Sequence, residues 1–146
     1  MKIYIGASFS SRTRLRPIRD ELWKMGHEVV SSWLDEVAKP EHMTHQEFYK
    51  KLALKDLCEL KSADLAVIDL FDTSTTGGRD TELGFALASF SGKQVYTVGP
   101  TKSVFHELVD KQFVEWKEVL NYLVPGGPTS NAKAATKPST LMKVPF

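Results

Sequence analysis

Thiol chemistry is nearly absent from this sequence, in which Cys58 is the only cysteine. One cysteine excludes an internal disulfide framework and fits a reducing compartment. Long hydrophobic runs are missing as well. No stretch reaches the ~18 apolar residues of a membrane span, and no apolar segment of secretory type heads the chain. A soluble, cytoplasmic protein without membrane contact is therefore expected. Charge of one sign is also lacking: 19 Lys and Arg face 18 Asp and Glu, for a net +1. Lys133, Lys137 and Lys143 fall in residues 125–146, which hold no acid, so residues 1–124 carry 16 basic and 18 acidic side chains, or −2. That is no basic footprint, and a nucleic-acid partner is not expected. The lone "TTGG" does not make a P-loop. His27, His42 and His45 form no metal-ligand constellation, since "HMTH" straddles a helix cap at Thr44. Neither a metal nor another cofactor is expected.

What is present is an alternation. Four β-branched or apolar runs, "KIYIGA" (2–7), "EVVSSW" (28–33), "DLAVIDL" (64–70) and "QVYTVG" (94–99), predict strands, with a short fifth at 112–114. Helical patterns separate them. Leu15, Ile18, Leu22 and Met25 recur at helical spacing, with Pro17 near a first turn and Gly26 as a stop. Thr44 and Glu47 make a capping box that opens a helix reaching about Lys61. Leu83, Ala86, Leu87 and Phe90 form an apolar face ended by Gly92, and Trp116, Val119, Leu120 and Leu123 mark a last helix. This rhythm predicts a three-layer, doubly wound α/β domain of flavodoxin or Rossmann type over 1–124, with a parallel sheet of about five strands. Residues 125–146, rich in Pro, Gly, Ser, Thr, Ala and Lys, read as a flexible tail. In such folds ligands gather at the carboxyl ends of the strands. The loops at 7–12, 32–36 and 71–80 leave those ends.

Two acids stand out there. Asp56 falls near the middle of a helix face made by Phe48, Tyr49, Leu52, Ala53, Leu57 and Leu60, where an unpaired charge is costly. It is either a structural acid or a carboxyl held in a pocket for proton transfer. Cys58 lies away from that centre and is expected in the core. Glu82 opens a helix just after "TTGG", where the helix dipole favours a carboxylate and Gly78 lets backbone approach a ligand closely. With Asp69, Asp72 and Asp80 these acids would share one sheet edge. Clustered carboxyls suit chemistry through an oxocarbenium-like transition state, though Mg²⁺ sites look similar. The first loop, "GASFSSR" (6–12), offers Gly6, Ser8, Ser10, Ser11 and Arg12 before a helix, as a phosphate site or as ordinary caps. Phe9 and Trp33 would either sandwich a base or pack.

"IYIGASF", "DLCELKSADLAVIDL" and "GGRDTELGFALA" resemble the nucleoside 2-deoxyribosyltransferases and the related 2′-deoxynucleoside 5′-monophosphate N-glycosidases. The resemblance runs from residue 3 to about 123, and E-L-G-x-A-x-A is its most specific element. It implies that Glu82 is the nucleophile attacking C1′ of the deoxyribosyl group and that Tyr4 holds its carboxylate. It implies proton transfer by Asp56, the acid of D-L-x-x-(I/L)-x-x-x-D, and base or sugar binding by Asp72. It also implies a homodimer, in which the loop after the fourth strand, with Ser103 and His106, helps complete the neighbouring site. The 71–80 loop is longer than the family's, and Arg79 has no counterpart in its motif. Hydrolysis and transfer to a second base both stay open, as do free nucleoside and 5′-monophosphate substrates. The rivals are a CMP-type ribonucleotide N-glycosidase and a non-catalytic nucleotide-binding module.

Overall fold

Burial is continuous in the middle of the sheet. Every residue of β3 (Leu65–Asp69) is buried, as a parallel strand covered on both faces must be. The computed structural model describes residues 1–73 and 76–127; most of the expected tail, from residue 128 onward, lies outside the described residues. Flanking β3 are β1 (Lys2–Gly6), β2 (Glu28–Val29), β4 (Gln94–Val98) and β5 (Lys111–Phe113), in the order β2-β1-β3-β4-β5. All pairings are parallel. This is the flavodoxin-type order, with its switch point between β1 and β3. Helices α1 (Arg12–Lys24) and α4 (Trp116–Tyr122) pack together, and α2 (His45–Ser62) packs with α3 (Gly78–Ser89), giving the expected three layers. No described helix is long and apolar enough to cross a membrane.

The expected second strand is cut short. Val30 N–H still donates to Ile3 O, but Ile5 then turns to side chains. Its N–H donates to Ser31 Oγ (2.5 Å) and its carbonyl accepts from Trp33 Nε1 (2.7 Å). These bonds replace the ladder, which frees the chain to enter a 3-10 turn at Ser32–Asp35. Pro17, expected near a first turn, lies inside α1, because the helix already begins at Arg12. Pro17 and Thr13, whose carbonyl loses its helical partner, are both exposed, so water can satisfy that carbonyl. The Thr44–Glu47 capping box forms in full. The face of α2 is less buried than its pattern predicts: Leu60 is buried, while Tyr49 is 63% exposed. Cys58, expected in the core, is exposed, because it points away from the face that carries Asp56 and Leu60.

Asp69 ends β3 with its side chain fully buried. Arg14 donates to both of its oxygens at 2.9 Å, Trp116 Nε1 donates at 2.6 Å, and Phe71 N–H at 3.1 Å. One carboxylate thus joins α1, the start of α4 and the loop that leaves β3. Removing it strands a buried indole and leaves the part-exposed Arg14 with Asp72 alone. Asp69→Ala should lower the unfolding free energy by roughly 2–3 kcal/mol, read from urea denaturation. A loss under about 1 kcal/mol, the scale of an ordinary surface pair, would contradict this joining role.

Candidate active site

At the switch point, Ala7, Ser8, Phe9, Trp33, Asp56, Thr76, Gly78, Arg79 and Glu82 line a cavity of about 150 Å³. Among the described residues, the buried side-chain atoms without a hydrogen-bond partner are Ser8 Oγ, Asp56 Oδ1, Arg79 Nε, Glu82 Oε2 and His106 Nε2. All but the histidine belong to residues of this one cavity. Buried polar atoms in folded proteins are overwhelmingly paired. Their concentration here marks a site built for a polar ligand.

Glu82 reaches the cavity from the second turn of α3. Tyr4, fully buried on β1, donates its hydroxyl to Glu82 Oε1 at 2.7 Å, which leaves Oε2 free. Burial pushes the Glu82 carboxyl up to about 8; the Tyr4 hydrogen bond opposes this and the nearby Asp56 adds to it. Burial likewise raises Asp56 to about 6, with Glu59 contributing. Gly6, at the end of β1, sits directly behind Glu82. A Cβ there would stand 2.7 Å from Glu82 Oε2 and 2.7 Å from Ile68 Cδ1.

The cavity is smaller than the ~300–1,000 Å³ usual for small-molecule sites. A second groove of about 920 Å³ adjoins it, sharing Phe9 and Thr76, and runs along α2 past His45, Phe48, Tyr49 and Leu52. The small cavity holds the unpartnered polar atoms, and the larger groove offers apolar surface. A ligand with one reactive end would span both.

The other expected residues divide. Ser8 and Gly78 line the cavity. Trp33 lines it with its indole tied to Ile5, and Phe9 stands at its mouth, 56% exposed. Their centroids are 6.5 Å apart with planes at 41°, so the rings lean on each other instead of standing parallel to clamp a base. Arg12 turns away: its guanidinium donates to Glu36 O at 3.0 Å, stacks 4.4 Å over Phe9 and lines the larger groove. Ser10 is exposed, and the Ser11 hydroxyl donates to Asp72. Asp72 also pairs with Arg14, and these two bonds hold its carboxyl below the usual range. Asp69 serves the joint described above. Neither Asp69 nor Asp72 lines the cavity. Ser103 lies elsewhere, in a cavity of about 390 Å³ shared with Asp80, Leu83, Leu87, Phe105 and His106. Sequence reasoning did not assign Arg79 or Thr76. The signal for Arg79 is its position, since a first-turn residue one helical turn before Glu82 shares that residue's face.

An α/β domain with paired carboxyls at its switch point is thus in view. No family model matches the chain, and no curated protein matches it. Solved structures do. A 2-deoxyribosyltransferase from the psychrotolerant bacterium Bacillus psychrosaccharolyticus is similar at TM-score 0.69 and 22% identity, covering 84% of this chain and 92% of that one. A conserved protein from Enterococcus faecalis V583 follows at 0.59 and 14%, covering 82% and 94%. The Clostridium botulinum CMP N-glycosidase BcmB is similar at 0.53 and 18%, covering 82% and 95%. The chain has the deoxyribosyltransferase fold.

Two outcomes are expected. Gly6→Ala should cost about 1–3 kcal/mol of stability through overpacking and displace Glu82, read by thermal melting and by the Glu82–Tyr4 distance in a crystal structure. A Glu82 left in place would contradict the close approach of Gly6 to its carboxylate. The second concerns pH. Because the Glu82 pKa is raised from 4.5 to about 8 on folding, the native chain holds more protons than the unfolded chain across that window, and stability falls as pH rises through it. Glu82→Gln should therefore melt higher than the parent by roughly 3 °C or more near pH 8.5, with the gap closing near pH 4.5. Equal melting points at both pH values would contradict a buried, uphill carboxylate.

Proposed function

We propose that this chain is an enzyme that cleaves the N-glycosidic bond of 2′-deoxynucleosides or their 5′-monophosphates by way of a glycosyl ester on Glu82. The observation that carries this reading is the free Oε2 of Glu82. It faces a cavity shared with the free Oδ1 of Asp56, while Tyr4 fixes the other glutamate oxygen. The names of two structural neighbours, a 2-deoxyribosyltransferase and a CMP N-glycosidase, point to the same chemistry.

Glu82 Oε2 forms a bond to C1′ as the C1′–N bond breaks, and the electron pair of that bond goes to the base nitrogen. Protonated Asp56 supplies the proton that makes the base a neutral leaving group. Water or a second base then attacks C1′ and restores the Glu82 carboxylate. If water attacks, its proton returns to Asp56; if a base attacks, Asp56 takes the proton from the base nitrogen. Tyr4 orients Glu82, and its hydrogen bond favours the ionised carboxylate that attack requires. Ser103 lies in a separate cavity from Glu82, and Val104 and Phe105 beside it are 78% and 60% exposed. A homodimer that brings this segment to a neighbouring site accounts for both.

The test is incubation with each 2′-deoxynucleoside 5′-monophosphate, the free nucleosides and the ribonucleotides, with and without a second base, followed by chromatography of released base. Base release without an acceptor identifies a hydrolase; exchange only with an acceptor identifies a transferase. Silence across the panel, or turnover surviving in Glu82→Gln, overturns the reading. With Glu82 near 8 and Asp56 near 6, the single proton held between those values rests mainly on Glu82, so the reactive form, with Glu82 ionised and Asp56 protonated, is the minor tautomer, and kcat/KM should follow a bell with limbs near those values. Asp56→Asn should lower turnover most for poor leaving bases and abolish the alkaline limb. An unchanged alkaline limb would exclude Asp56 as the acid.

A further inference from the structure

Asp56 does not stand alone on α2. Glu59 follows it by three residues and Lys55 precedes it by one. Residues three apart on a helix have Cβ atoms only ~5–6 Å apart. Glu59 does not line the Glu82 cavity. Its carboxylate is fixed instead by Ser32, whose Oγ donates at 2.5 Å and whose N–H donates at 3.1 Å. Ser32 opens the 3-10 turn that carries Trp33. Glu36 closes that turn; its carboxylate pairs with Lys55 and its carbonyl accepts from Arg12. Both acids beside Asp56 are thus held by the segment after β2, and the neighbouring cation is claimed by one of them.

The groups facing Asp56 come from each element around it. Its own helix supplies Glu59 and Lys55, the turn after β2 supplies Glu36, and α3 and β1 supply Glu82 and Tyr4. Arg79 lines the same cavity. Burial is the main reason that the Asp56 carboxyl rises to about 6; Glu59 comes next and raises it further, Lys55 opposes, and Glu36 adds. A fixed negative charge disfavours a second one nearby. Glu82 answers to burial, Tyr4 and Asp56. Glu59 therefore acts on one carboxyl of the pair and leaves the other to its own surroundings. The distinction matters because deeper burial draws the shared proton to Glu82, the unreactive arrangement.

We propose that Glu59, fixed by Ser32, is a positioning residue for this proton: its charge raises the share of molecules in which Asp56 is protonated and Glu82 is free to attack. This rests on the glycosidic reading above. Glu59 stands outside the cavity and acts only through Asp56.

Glu59→Gln removes the charge and keeps an acceptor for Ser32. It should lower the Asp56 pKa by about half a unit, which makes the reactive tautomer about threefold rarer. The pH profile separates this from a structural loss. Well below the Asp56 value of about 6, both carboxyls are protonated and the reactive form is reached by losing the Glu82 proton alone. There kcat/KM should equal the parent's. At neutral and alkaline pH it should fall about threefold, and the acid limb should move to lower pH. Glu59→Asp, which keeps the charge, should lose less. An equal loss at every pH would make Glu59 merely a clamp on the Trp33 turn and overturn the proposal, as would no loss at any pH.

A second readout needs no turnover. Carbon-13 NMR of the labelled Asp56 carboxyl should show a titration near 6 in the parent and one about half a unit lower in Glu59→Gln. An unmoved titration overturns the proposal. The two readings fail separately. A titration that moves in a protein without turnover removes the enzymatic reading and keeps the proton placement. Turnover with an unmoved titration does the reverse.

Discussion

The joint at Asp69 governs the rest of the molecule. The end of the central strand must stop at one place for the loops around it to form a cavity, and a buried carboxylate bound from three directions sets that place. The loop after β3 is then pinned a second time by Arg79, whose donor reaches the carbonyls of Asp69 and Asp72. The start of α3, and with it Glu82, follows from these two anchors. A charge buried so deeply is stable only because each oxygen has more than one donor.

The cavity itself is built against stability. Two carboxyls are held where burial raises both of their pKa values, and several polar atoms lack protein partners. The fold supports this through the apolar residues beneath: Ile3, Ile5, Val67 and Ile68 are fully buried in the strands that carry the site. The two carboxyls are also distinguished by their surroundings. Glu82 is packed between Tyr4 and the backbone of Gly6, whereas Asp56 lies among Lys55, Glu59 and Glu36. The more deeply buried Glu82 is the harder of the two to ionise, so their surroundings alone place a shared proton on Glu82 ahead of Asp56.

Much of this was legible in the residues. The alternation of apolar runs and helical faces announced the parallel α/β sheet, and the Thr44–Glu47 cap was readable because it is a local device. Glu82 stood out by its place after the glycines, but Tyr4 and the pairing of the two came from resemblance; no spacing rule brings residues 78 positions apart into contact. What escaped depends on tertiary choices. β2 reads as a six-residue strand, and only the presence of Ser31 and Trp33 beside Ile5 explains why it stops after two. Arg12 and Arg79 are alike as letters, but one backbone carbonyl and a ring claim the first, and the second lines the cavity with its Nε lacking a hydrogen-bond partner. Asp69 reads as a site acid because it ends a central strand, yet its partners lie far away at Arg14 and Trp116. Exposure of Cys58 and Tyr49 follows from how α2 sits, which periodicity does not report.

The bonds from Ile5 to Ser31 and Trp33 carry an evolutionary consequence. One wall of the cavity is fastened to the strand that also bears Tyr4, so a change at Trp33 disturbs the sheet along with the ligand surface. The groove wall along α2 contributes Phe48, Tyr49 and Leu52 from a helix that takes no part in the ladder. Substitutions there alter what the groove accepts at little cost to folding. A lineage carrying this architecture would vary the groove along α2, while the wall at Trp33 remained nearly invariant.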